Sequence, residues 1–205
     1  MPESSKPKRR TQAERVAEST ERIMAAAIEL IAEQGYEATT MGAIADRAGF
    51  ARSMVNSRFG SKAGLLDALF EEHWINELVT AVDAAEDGLS AVLSMIERLR
   101  EFVRTEPVRL RAFLVVSFEA VGPSSIPAAQ VTGPLSTLDR AMSAALRRGM
   151  EDHTVTTLDD PDFHAARLID IGVGMAYRWA IDPDGYPFAN RLVTWKDECA
   201  RTYRA

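Results

Sequence analysis

Apolar residues recur at helical spacing along nearly the whole chain, and no segment sustains the two-residue alternation of a half-buried strand. Val16, Thr20, Ile23, Ala27, Leu30 and Ile31 form one stripe of a first helix that runs to about Gln34 and stops at Gly35. Thr40 is placed to cap a short second helix with apolar positions Met41, Ile44, Ala45 and Ala48, ended by Gly49. A third covers about Arg52–Arg58, with Val55 and Phe59 inward. Ser61 caps a fourth, lined on one side by Leu65, Leu66, Leu69, Phe70 and His73 and continuing to Leu78. Further helices are predicted over Leu89–Thr105, stopped by Pro107, and over Arg109–Val121, which is apolar nearly all round and should be buried. After a loop at Gly122–Pro127 come Leu135–Met150 and a polar connection at His153–Asp160. Asp160-Pro161 opens a helix to about Ile181, and the last spans roughly Phe188–Tyr203. The fold class is all-α, with no internal repeat.

Within this run, Thr40–Phe59 has the form of a helix-turn-helix: two short helices joined by a tight turn, Gly49-Phe50-Ala51. Ile44, Ala45, Val55 and Phe59 pack the pair together, leaving Arg52, Ser53, Met54, Asn56, Ser57 and Arg58 to face outward. Arg, Asn and Ser are side chains suited to base edges and phosphates. The bland alternative for Arg52 and Arg58 is solvated surface charge.

Charge supports the DNA reading only when it is read locally. The chain carries a net charge of −6, yet residues 1–62 hold ten Lys and Arg against eight acids, and residues 47–62 hold four bases and no acid. Phosphates respond to charge within about a Debye length, so a basic face on an acidic body suffices. Residues 1–12 read as a flexible basic arm whose Lys8, Arg9 and Arg10 either follow the DNA backbone or stay disordered.

Four stretches carry a family resemblance: Ile23-Met24-Ala25-Ala26-Ala27; Gly35-Tyr36-Glu37-Ala38-Thr39-Thr40; Ile44-Ala45-Asp46-Arg47-Ala48-Gly49; and Phe59-Gly60-Ser61-Lys62-Ala63-Gly64-Leu65-Leu66. In order and spacing they resemble the TetR family of bacterial regulators over about residues 15–77. The chain departs from that family's pattern at Ala51, where a Ser or Thr usually opens the third helix, and at Asn56, where a phosphate-contacting Tyr is usual. The resemblance implies a domain division: an arm at 1–12, a DNA-binding domain at 13–77, and a ligand-sensing and dimerisation bundle at 78–205. It also implies a third helix in the major groove, with phosphates held at Thr40 and at Ser61-Lys62. The expected function is a repressor that binds a palindromic operator in double-stranded DNA as a homodimer and is released by a small, largely apolar effector. A ligand-independent regulator or an activator of the same fold is the alternative. Such a protein is expected in the cytoplasm, on the nucleoid when bound. The fourth helix would act as the lever between ligand and DNA.

In the body, the helix over 161–181 has an apolar stripe at Leu168, Ile171, Gly172, Met175 and Trp179 and another at Ile169, Val173, Ala176 and Ala180. The last helix repeats Phe188, Leu192, Trp195, Cys199 and Tyr203. A two-fold four-helix bundle would cover these faces, placing Leu168, Ile171, Gly172, Leu192, Trp195 and Cys199 at the dimer interface, with Gly172 and Gly174 permitting close approach. Burial within one subunit is the plainer alternative. Met95, Phe102, Phe113, Phe118, Met142, Met175, Tyr177 and Trp179 are candidates for an apolar ligand pocket, with Arg178, His164 or Glu119 supplying polarity.

Other chemistry finds little footing. No phosphate loop, Gly-x-Ser-x-Gly, His-Glu-x-x-His or zinc pattern occurs, and three histidines with one cysteine make a nucleophilic site hard to assemble, so no enzyme and no cofactor is expected. Asp159, Asp160, Asp162, His153 and His164 form one cluster with metal-ligand residue types, but Asp160 and Asp162 are better read as helix-start residues. The start, Met1–Lys6, lacks the apolar core of a secretion signal, and no apolar run approaches the roughly 20 residues of a membrane span. Cys199 alone allows no internal disulfide.

Overall fold

The computed structural model describes residues 11–71 and 74–205. Arg9 and Arg10 of the basic arm, and His73, lie outside the described residues. Ten helices are described: α1 (Gln12–Gln34), α2 (Met41–Ala48), α3 (Arg52–Phe59), α4 (Lys62–Glu71), α5 (Trp74–Asp83), α6 (Gly88–Thr105), α7 (Pro107–Glu119), α8 (Ala128–Glu151), α9 (Pro161–Ile181) and α10 (Phe188–Tyr203). The fold is all-α, a small N-terminal helical unit on a larger helical bundle. Among the described residues the only extended pairing is a single bridge between Val155 and Arg204. No described helix is long and apolar enough to cross a membrane.

Local chemistry sets the helix ends. Thr11 and Glu14 make a reciprocal capping box at the start of α1: the Thr11 hydroxyl accepts from the Glu14 N–H, and the Thr11 N–H donates to the Glu14 carboxylate. Gly35 ends α1 at φ +87° and Gly49 ends α2 at φ +74°, a backbone region that side-chain-bearing residues avoid. Asp160 accepts from the N–H groups of Asp162 and Phe163 at the start of α9, as its position before Pro161 predicts.

Three apolar cores follow from the helix stripes. One joins Ile23, Ala27 and Leu30 of α1 to Ile44, Ala45 and Ala48 of α2, Val55 of α3 and Leu65 of α4. The largest fills the bundle, where α6 is central and packs against α5, α8 and α10, while α9 lies on α8. The third spans the two units: Ile31, Tyr36 and Leu66 meet Ala112, Val116, Ile126 and Val131. The main junction is therefore α1 against α7, with α4 contributing Leu66 and Leu69. That corrects the expectation of a fourth helix as sole lever; its predicted run to Leu78 is described as α4 and α5, with residues 72–73 outside the described set.

Several stripes are displaced from expectation. Val16 is 46% exposed, and Ser19 takes the inward place at that end of α1. Helix α7 is buried through Leu110, Phe113, Leu114 and Val116, but Phe118 is 42% and Val108 48% exposed. Helix α8 begins at Ala128, seven residues before the predicted start, and carries Pro134 in its second turn. The proline removes the donor that would bond the Gln130 carbonyl and crowds that carbonyl, an interruption of the helix. The connection after α8 is not wholly polar, since Val155 is buried.

The largest correction concerns the presumed dimer face. Leu192 is 0% and Leu168 2% exposed; Gly172, Trp195 and Cys199 are buried as well, and Ile171 is half-buried against the same core. The Cys199 thiol is pushed up to about 12, chiefly by burial. These residues build the subunit's own core, with α10 laid on α6, so the single-subunit alternative holds for this stripe.

At the α6–α10 contact the Glu97 carboxylate accepts from Arg100 and, across the helices, from Lys196 Nζ at 2.8 Å. The Arg100 hydrogen bonds and then Lys196 hold its pKa at about 2. A depressed folded pKa contributes stability that is complete above the ordinary value of 4.5 and is lost as pH falls toward about 2. Glu97→Gln is therefore expected to lower Tm at pH 7, with the gap from the parent closing between about pH 4.5 and 2, as thermal melts across that range will show.

Candidate nucleic-acid interface and apolar cavity

The helix-turn-helix is held from behind by α1. Arg22 donates through Nη2 to the Ala48 carbonyl at 2.7 Å, and its guanidinium lies 4.7 Å from the Phe50 ring centre, so one side chain fixes both the end of α2 and the turn. Sequence reading missed Arg22; only its position on the inner side of α1, one residue before Ile23, hinted at it. The Thr40 hydroxyl accepts from the Ala43 N–H at 3.1 Å and caps α2. The Ser61 hydroxyl accepts from the Gly64 N–H at 3.0 Å and caps α4.

Helix α3 presents Arg52, Ser53, Asn56 and Ser57 together on one exposed face, at the i, i+1, i+4, i+5 spacing of a helix, with Met54 half-buried beside them. Ala51 supplies no side-chain cap to this helix, and the Met54 N–H turns back to the Ala51 carbonyl at 2.9 Å. Arg58 does not join that face. Its Nη1 donates to the Val16 carbonyl at 2.9 Å and to the hydroxyls of Ser19 and Thr20, which tethers α3 to α1. Arg58 stands three residues past the buried Val55 and four past the half-buried Met54, on the side of α3 that meets α1.

The basic run over 47–62 is also spent differently than its charge suggests. Arg47 pairs with Glu33 at 2.8 Å and with Glu29 at 3.4 Å. Lys62 Nζ donates to the Tyr36 carbonyl at 2.9 Å and lies 4.2 Å from the centre of the Tyr36 ring. With Arg58 on α1, Arg52 is the cation of the four that has no partner among the described residues.

In the bundle, a cavity of about 250 Å³ is walled by α5, α6, α7, α8, α9 and α10. Of the candidate pocket residues, Met95, Phe113 and Phe118 line it. Phe102, Met142, Met175, Tyr177 and Trp179 do not: Phe102 and Met142 are sealed in the core, Trp179 packs on Phe188, and Tyr177 is exposed against Phe118. Leu110, Leu138, Ile169 and Trp195 are lining residues missed from sequence, because a wall and an ordinary core position share the same helical spacing. The polar groups expected in the pocket lie elsewhere. Arg178 stacks on Tyr186, His164 faces the Tyr203 hydroxyl, and Glu119 accepts from the Tyr36 and Glu37 N–H groups. Ser117 is the one polar side chain on the wall among the described residues, and it already donates to the Phe113 carbonyl.

Asp159 to Asp162 have structural roles. Asp160 caps α9, Asp162 pairs with Arg147 at 2.8 Å and accepts from Ser143, and Asp159 stands 3.5 Å from His164. No group of three potential metal ligands occurs among the described residues.

The model of the bacterial regulatory proteins, tetR family, matches residues 23–69, from the inner stripe of α1 through the helix-turn-helix to α4. Over residues 23–69 the chain is similar to the TetR family. The HTH-type transcriptional regulator CymR of Pseudomonas putida is 39% identical over 118 residues, 54% of this chain and 56% of that protein. The uncharacterized HTH-type transcriptional regulator YvkB of Bacillus subtilis is 36% identical over 58 residues, 28% of this chain and 31% of the relative. The chain thus spans about half the length of the first curated relative it matches and under a third of the second. Among solved structures, FadR of Bacillus subtilis in complex with stearoyl-CoA has a TM-score of 0.73 at 16% identity, covering 88% of this chain and 97% of that one. A SmeT–triclosan complex gives 0.76 at 21%, covering 92% of each chain. FadR of Bacillus halodurans gives 0.77 at 15%, covering 94% and 97%. At these identities the likeness is one of fold, and it extends over the bundle as well as the N-terminal unit.

The tether and the exposed row predict different mutant behaviour. Arg58→Ala leaves two α1 hydroxyls and a carbonyl without their charged donor and is expected to cost about 1–3 kcal/mol of domain stability. Asn56→Ala and Ser57→Ala, on the exposed face, should leave Tm within about 1 °C of the parent. Differential scanning calorimetry of the three variants checks both.

Proposed function

We propose that this chain is a repressor of the TetR family that binds a palindromic DNA operator as a homodimer and is released by a small, neutral, apolar effector. The observation that carries the DNA half is the exposed row Arg52, Ser53, Asn56 and Ser57 on an α3 tethered to α1 by Arg58, behind a turn held by Arg22. Asn offers bidentate pairing to adenine and Arg to guanine, and both are placed on the one helix face free to enter a major groove. Repression and its relief by ligand, and a cytoplasmic site of action on the nucleoid, follow the family resemblance.

For the dimer, the surface left open by the fold is the outer side of α9 and α10. Val173 (38%), Tyr177 (44%) and Ile181 (65%) are exposed at i, i+4, i+8 on α9, and Val193 (42%) on α10. Of the second stripe expected on α9, Ile169 and Ala176 are buried and Ala180 packs on the core; Val173 alone is exposed, and with Tyr177 and Ile181 it makes a separate face that a two-fold mate would cover.

The cavity supports the effector. An apolar cavity of about 150 Å³ takes benzene, so about 250 Å³ accommodates a molecule of roughly two rings. No charged side chain lines it, which disfavours an ion at depth. Two fold neighbours bear stearoyl-CoA and triclosan in their structures, consistent with an apolar ligand in this architecture.

Selection from random duplexes followed by footprinting tests the reading. An enriched inverted repeat is expected; recovery of no inverted repeat rejects it. On the selected duplex, Arg52→Ala or Asn56→Ala should cost about 1–3 kcal/mol and relax base preference. Val193→Glu is expected to give a folded monomer in sedimentation, whereas Leu192→Glu, one residue away but in the core, should unfold the bundle by buried unpaired charge.

A further inference from the structure

Helix α7 carries two functional faces. Leu110, Phe113, Leu114, Ser117 and Phe118 recur at i, i+3, i+4, i+7, i+8 and wall the cavity. Ala112 and Val116, on the other side, enter the core shared with α1 and α4. Phe113 belongs to both: it also lines a small void of about 30 Å³ between the two units, together with Ile28, Ile31, Leu66 and Leu69. Phe113 thus borders both a ligand-sized cavity and the α1–α4–α7 junction, with some free space on the junction side.

One residue past Phe118, the chain makes its most specific contact with the DNA-binding unit. The Glu119 carboxylate accepts from the Tyr36 N–H at 3.0 Å and from the Glu37 N–H at 3.2 Å, in the turn that joins α1 to α2. Gly35 is shaped to this contact, because a Cβ there would collide with Glu119 Oε1. The Glu37 carboxylate returns the contact, accepting from the Ser125 N–H at 2.6 Å and from its hydroxyl at 2.8 Å. From the other side Lys62 grips the Tyr36 carbonyl and ring. The turn that sets the angle of α2 is therefore held between the DNA-binding unit's own Lys62 and the bundle's Glu119.

We propose that Glu119 is the positioning residue that couples occupancy of the cavity to the helix-turn-helix. A ligand that displaces Phe113 and Phe118 shifts the C-terminal end of α7, draws Glu119 off the Tyr36 and Glu37 N–H groups, and frees the turn before α2. A close-packed helix moves as a unit, so a displacement at its cavity face appears at its end. The two states differ in charge-assisted hydrogen bonds, which supplies the differential energy a switch requires. This inference rests on the sensor reading above.

The test uses 1-naphthylamine, a neutral two-ring fluorophore at pH 7 within the size the cavity admits, with hydrogen exchange resolved to residues 35–39 of the full chain. In the parent, saturating probe is expected to speed exchange at Tyr36 and Glu37 roughly ten-fold. Glu119→Ala should exchange fast there without probe, show no further rise with it, and still take up the probe with the parent's fluorescence response. Glu119→Gln keeps the bulk beside Gly35 and should fall between the two. Probe taken up by the parent with no change at Tyr36 and Glu37, or protection in Glu119→Ala equal to the parent's, overturns the coupling role alone. Failure of the parent to take up the probe overturns the sensor reading and the coupling with it. Neither readout uses DNA, so a failed operator selection is a separate result.

Discussion

A helix that is apolar on two sides must be covered on two sides, and the arrangement of this protein depends on how that demand is met for α7. One side of α7 closes on the bundle, incompletely, and leaves a cavity; the other closes on α1 and Tyr36. The two units are therefore not beads on a linker. They share an apolar core of Ile31, Tyr36, Leu66, Ala112 and Val116, backed by charge-assisted hydrogen bonds to backbone N–H groups. Such bonds are directional and strong relative to surface ion pairs, so the orientation of the α1–α2 turn is specified rather than merely favoured.

Charge has two tasks in the N-terminal unit, and the structure separates them. Three of the four cations between residues 47 and 62 hold the unit together: Arg47 on the acids of α1, Arg58 on α1 hydroxyls, and Lys62 on the Tyr36 carbonyl. Short helices bury little surface, so tethers of this kind carry a larger share of the orientation than they would in a thick core. The unit gains a rigid α3 at the cost of free positive charge, and long-range attraction to phosphate is weaker than the count of bases implies. Sequence readout then rests on a compact polar row rather than on a broad basic patch.

The bundle uses one repeated device, a stripe at helical spacing, for three ends: core, cavity wall and outer face. On α9 the stripes run one residue apart, so Gly172 touches the Trp195 region inside while Val173 lines the cavity and reaches solvent. A neighbour in sequence is thus a neighbour in kind but not in role. This explains why Leu192 and Trp195 are core and Val193 is not, although all three are apolar residues of one helix.

By itself the sequence determined what depends on near neighbours along the chain. Most helix positions, the caps at Thr40, Ser61 and Asp160, the stops at Gly35 and Gly49, the helix-turn-helix and its inward residues Ile44, Ala45 and Val55 were legible, because they turn on periodicity and on hydrogen bonds spanning three or four residues; the start of α8 and the division of α4 from α5 were not. Only tertiary structure decided which of two apolar faces meets the core, which aromatic residues border empty space, and where a long cation reaches. Those outcomes depend on crossing helices brought together from distant positions, as Glu119 is to Tyr36 and Arg58 to Val16. A period identifies a stripe, but what the stripe touches is fixed by the element packed against it, and no local pattern encodes that partner.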